Sequence, residues 1–101
     1  MEHLKSKETI RKEVENILAY EKERNHIKPD PSNKWMKSTL TRWIKSAEEY
    51  YNEISAARKR PLRERYYLGT FITYTIVQNA KNDVEVMKEM REELNETKEP
   101  R

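Results

Sequence analysis

Cysteine is absent from the 101-residue chain, which excludes a disulfide framework and any thiolate metal site. Glycine occurs once, at Gly69, so no glycine-rich loop is available to cradle a phosphate. Histidine occurs twice. His3 stands in an N-terminus expected to fray, and His26 at the expected C-terminal end of a first helix, where a partly protonated ring is favourable. Neither faces an acidic cluster at metal-ligand spacing, and no nucleophile stands near a base in a recognisable pattern. The expectation is a non-catalytic protein with no metal, no cofactor and no small-molecule substrate. The N-terminus lacks an apolar run of signal-peptide length, so a cytoplasmic location is expected. Scarce Gly and Gln beside abundant Lys, Glu and Arg suit a thermophile, although seven asparagines run against that reading.

Apolar residues are also in short supply. Leu, Ile, Val and Phe number 6, 7, 4 and 1, close to the level at which chains stop folding. Disorder normally needs a high net charge as well, and here it is only +3. Six tyrosines and two tryptophans add large apolar surfaces. One folded domain over 1–101 is expected, with a thin core that a homodimer or a protein partner completes.

What is present is organised around Tyr66–Ala80, fifteen residues without a charge in a chain that is 39% charged. The stretch is too short for a bilayer span, which takes roughly 20 apolar residues, so no membrane partner is expected. Tyr66, Leu68, Ile72, Tyr74 and Ile76 share one face at period two, as in a strand. Leu68, Ile72 and Ile76 also recur every four residues, as in a buried helix. Nothing else in the chain resembles a strand, and a lone strand lacks partners for its backbone. A central helix is the expectation, with Gly69 where another helix crosses and Phe71 in the buried spine.

The remaining elements follow from caps and periodicity. Ser6 caps a first helix over 7–25, with Ile10, Val14, Ile17 and Leu18 as its stripe. Glu8 with Lys12 and Arg11 with Glu15 are spaced to pair along it. Asp30 and Pro31 read as N-cap and first residue of a second helix over 31–58. Its seam, Met36, Leu40, Trp43, Ala47, Tyr50, Ile54 and Ala57, keeps heptad steps, widened by Ile44 and Tyr51. Pro61 turns the chain into a third helix over 62–80. A break near Asn82 opens a fourth over 83–97, with Val84, Met87, Met90 and Leu94 inward. The fold class is therefore all-α: a small bundle of three long helices, the last one broken or kinked.

Charge is distributed unevenly. Residues 24–47 carry six basic side chains against Asp30, residues 48–57 carry three glutamates and no base, and residues 58–65 carry five basic side chains against Glu64. Lys34, Lys37, Arg42 and Lys45 lie away from the apolar seam. Lys34 and Lys37 stand where the helix dipole disfavours cations unless an anion is bound. Trp35, at the edge of the stripe, is placed to stack on a base. Arg58, Lys59, Arg60, Arg63 and Arg65 form the second basic block. These ten residues make up the expected nucleic-acid contact of an accessory protein in a nucleic-acid-processing complex. The alternative is a purely protein-binding adaptor, assembly factor or inhibitor, such as phages and viruses make. Its contacts would be Met87, Met90, Glu92 and Glu93 on the acidic last helix, with the methionines as adaptable apolar surface.

Overall fold

The computed structural model describes residues 3–96. Three helices carry the fold: α1 Lys7–Arg24, α2 Lys34–Arg58 and α3 Tyr74–Glu96. Between α2 and α3 stand one 3₁₀ turn, Leu62–Glu64, and a hairpin of two short strands, β1 Tyr66–Tyr67 and β2 Thr70–Phe71. The all-α bundle expected from the sequence is present. No helix among the described residues is long and apolar enough to cross a membrane.

The first helix starts as its residues dictate. The Ser6 hydroxyl accepts the Thr9 N–H at 3.1 Å, and Glu8 follows in the first turn. Its far end closes on a Schellman motif: Ile27 N–H donates to the Lys22 carbonyl at 3.0 Å and His26 N–H to the Glu23 carbonyl at 3.1 Å. His26 takes φ 56° there, the left-handed conformation that glycine usually supplies. Ile10, Val14 and Leu18 are buried, but Ile17 is half exposed, so the stripe is narrower than expected.

The second helix begins later than the Asp30–Pro31 pair suggested. Asp30 spends its carboxylate on Ser32, accepting from both its N–H and its hydroxyl at 2.9–3.0 Å. Asn33 N–H donates to the Asp30 carbonyl at 2.9 Å. Asp30 therefore closes a turn rather than a helix. Asn33, at φ 55°, becomes the N-cap without a side-chain capping bond.

The uncharged stretch is not one helix. Leu68 at φ 49° and Gly69 at φ 82° reverse the chain, and Tyr66 pairs with Phe71 and Tyr67 with Thr70 in antiparallel register. Positive φ at both loop residues marks a type I′ hairpin turn, which a helix cannot accommodate. The segment solves the lone-strand problem by pairing with itself. Gly69 serves this turn and meets no crossing helix, for a Cβ there would touch nothing within 4 Å. The third helix expected over 62–80 starts instead at Tyr74. It continues through Asn82, whose Oδ1 accepts from Gln78 Nε2 at 3.2 Å. Among the described residues there is no break in α3 and no fourth helix. At 23 residues α3 is about 34 Å long and matches α2 without a kink. The expected end of a helix at residue 97 lies outside the described residues.

Packing divides the molecule, 56 × 28 × 21 Å, into two unequal ends. At one end α1 lies antiparallel to α2 and parallel to α3, and Ile10, Val14, Leu18, Leu40, Ile44, Val86, Met87 and Met90 form the main core. Lys7 bridges to Glu85 and Glu89 at 2.9 and 3.2 Å, and Arg11 to Glu93 at 2.6 Å. Arg11 thus reaches across to α3 rather than along α1 to Glu15. At the other end α1 is missing. There α2 and α3 meet as a pair, closed by the hairpin over a second cluster of Ile54, Ala57, Ile72 and Ala80.

Candidate nucleic-acid interface at the hairpin end

The Arg58–Arg65 block holds the hairpin in place as well as carrying its charge. Arg58 Nη1 donates to the Ile72 carbonyl at 3.1 Å and Arg60 Nη1 to the Tyr66 carbonyl at 3.3 Å. Arg65 Nε donates to the Arg60 carbonyl at 2.8 Å. The Arg65 carbonyl in turn accepts the Ile72 N–H at 2.8 Å, extending the strand ladder by one step. On its inner side the Tyr67 hydroxyl donates to Glu53, and the Tyr50 and Tyr67 rings meet edge to face at 5.9 Å. Tyr66 and Phe71 do the same across the strands at 5.3 Å. Phe71 is only partly buried; the buried residue of the hairpin segment 66–73 is Ile72.

Guanidinium groups bonded to carbonyls keep their full charge, since a carbonyl is neutral. Lys59 and Arg63 are exposed beside them. Four large apolar side chains are exposed at the same end: Leu62, Tyr66, Leu68 and Tyr74. Leu68 is 88% exposed and sits in the left-handed region, which costs a non-glycine residue about 1–2 kcal/mol. The signal for this hairpin was the Leu-Gly pair flanked by Tyr and Thr, far weaker than the usual Asn-Gly.

The second basic group stands elsewhere. Lys34, Lys37, Arg42 and Lys45 lie on the first half of α2, and Lys34, Arg42 and Lys45 are exposed. Arg42 Nη2 donates to Thr39 Oγ1 at 3.2 Å. The 25 residues of α2 span about 37 Å, so Lys34 and Arg58 cannot share one compact site. Glu48, Glu49 and Glu53 lie between the two groups. Trp35 packs against the main core at the edge of the stripe and is partly exposed.

The structure corrects the residues assigned to a protein partner. Met87 and Met90 are buried in the main core and cannot serve as surface contacts. Glu93 is held by Arg11 through two hydrogen bonds at 2.6 and 2.9 Å. Glu92 alone of the four is exposed without such a tie. The acidic face of α3 closes the bundle against α1.

Among the described residues, every ion pair joins a carboxylate to Lys5, Lys7, Arg11, Arg24 or Lys88. None involves the nine basic residues of the two groups. A groove of about 440 Å³ is lined by Glu48, Tyr51, Asn52, Lys81, Val84, Glu85 and Lys88, and Glu48 and Lys88 bridge at 2.7 Å. Among the described residues no three His, Asp or Glu side chains gather as a metal ion would require. Compared with known protein families, curated proteins and solved structures, the chain matches none of them.

Proposed function

We propose that the protein is a non-catalytic accessory module of a nucleic-acid-processing assembly, and that it holds the phosphate backbone with the basic residues at the hairpin end. The observation that carries this reading is the segregation of ion pairs. The cations that hold carboxylate partners among the described residues are Lys5, Lys7, Arg11, Arg24 and Lys88, and those of 58–65 hold none. Unpaired cations around a fixed ribbon, with exposed tyrosines among them, suit a phosphate chain with bases beside it. The first half of α2 is a second, separate contact, with Lys45, Arg42 and Lys34 about 20, 24 and 36 Å from Arg58 along the helix axis.

Fluorescence anisotropy of labelled duplex and single strands, at about 50 and about 200 mM salt, tests this reading. Wild type is expected to bind and to weaken steeply with salt. Replacing Lys59 and Arg63 with Glu abolishes binding at the low salt without lowering the melting temperature. Unchanged binding by that variant would sink the assignment.

A second reading has its own support. Ile17 and Tyr20, three residues apart on α1, are both more than half exposed. That apolar pair favours contact with a protein or a second copy of the chain, either within the same assembly or instead of nucleic acid.

A further inference from the structure

The apex of the hairpin has no explanation within the fold. Leu68 adopts a conformation that bulky side chains avoid, at a turn position that Asn, Asp or Gly usually fills. With 88% of its surface exposed, it returns almost no packing. The ribbon beneath it is nevertheless fixed from both sides. Arg58 and Arg60 hold the Ile72 and Tyr66 carbonyls, and Tyr67 is tied to Glu53. A rigid two-stranded arm therefore carries an aliphatic side chain outward, with unpaired cations at its base.

We propose that Leu68 is a wedge that enters the base stack of double-stranded DNA from the minor groove while Lys59 and Arg63 neutralise the flanking phosphates. The proposal rests on the reading that the hairpin end holds nucleic acid, and adds the form of that nucleic acid and the mode of contact. Apolar side chains flanked by Arg and Lys part base steps in this way and kink the duplex. A duplex fits better than a single strand because leucine has no ring face on which an unpaired base could stack.

Two signals separate the wedge from binding as such. A duplex carrying 2-aminopurine at its centre reports unstacking, and a fluorescein label on the same duplex reports binding by anisotropy. With wild type both signals are expected to rise together. Leu68→Ala is expected to bind about tenfold more weakly and to give no 2-aminopurine rise even at saturation. Leu68→Asn, which preserves the turn, is expected to match it. If wild type binds but 2-aminopurine stays quenched, or if either variant unstacks the base as wild type does, the wedge is wrong while the nucleic-acid reading stands. If wild type gives no anisotropy change at about 50 mM salt, both are overturned.

Discussion

Asn79 on α3 and Lys5, 74 positions earlier, are joined through the Asn79 side chain. Its Oδ1 accepts the Lys5 N–H at 2.9 Å, and its Nδ2 donates to the His3 carbonyl at 2.9 Å. The amide copies a strand partner for residues 3–5, which were expected to fray and are instead tied to the start of α3.

Replacing Asn79 with Ala removes the two hydrogen bonds that tie residues 3–5 to α3. His3 and Lys5 are exposed, so water can take over their backbone groups and each lost bond costs about 0.5–1.5 kcal/mol. Asn79→Ala should lower stability to urea by that order. Asn79→Asp, which keeps the acceptor and loses the donor, should fall between Ala and wild type near neutral pH.

Leu68 and Gly69 should respond to substitution in opposite directions. Asparagine tolerates the left-handed region better than leucine, so Leu68→Asn should raise stability by up to about 1 kcal/mol. Gly69→Ala meets no neighbour but places a Cβ at φ 82°, and should lower stability by about 1 kcal/mol. Thermal melting of the two single variants checks both signs.

Core substitutions should rank by burial rather than by side-chain size. Ile54 is fully buried in the second cluster, and Ile54→Ala should cost about 2–5 kcal/mol. Phe71 is only partly buried on the hairpin, so Phe71→Ala should cost less despite removing more atoms. A larger loss for Phe71→Ala would contradict the packing described.

The α1–α3 seam should weaken in acid. Hydrogen bonds from Lys7 to Glu85 and from Arg11 to Glu93 hold both carboxyls below their ordinary value of 4.5. A carboxyl lowered in the folded state stabilises fully above its unfolded value, and that contribution disappears as pH falls through the folded value. Melting temperature should therefore drop as pH falls below about 4.5. The Lys7→Met and Arg11→Met variants should be less stable near neutrality and show a shallower acid decline. These pairs are solvent-exposed, so the effect is modest.

Much of the fold was legible because periodicity and capping dominate helices. The Ser6 cap, the Ile10–Val14–Leu18 stripe and the inward Val84, Met87 and Met90 could all be read that way. The hairpin was not, because Tyr66–Phe71 suits both periods and the deciding event is a leucine in the left-handed region. Once the chain reverses at Leu68–Gly69, α3 has to start after it, which removes the length that seemed to demand a break near Asn82. Asp30 misled for a local reason: its carboxylate reaches Ser32 before any helix amide. Of the candidate site, the charge blocks could be read directly. Leu62, Tyr66 and Leu68 adjoin the second block in the sequence itself; what could not be read is that the hairpin exposes them while Tyr67 turns inward to Glu53.

The most direct test of the central claim is an amide chemical-shift titration of the labelled protein with a short DNA duplex at low salt. The account predicts that the largest changes fall on residues 58–69, with smaller ones on the first half of α2 and none on the Glu85–Glu93 seam. Changes centred on α1 or on the groove between Tyr51 and Lys81, or no change at all, would contradict it.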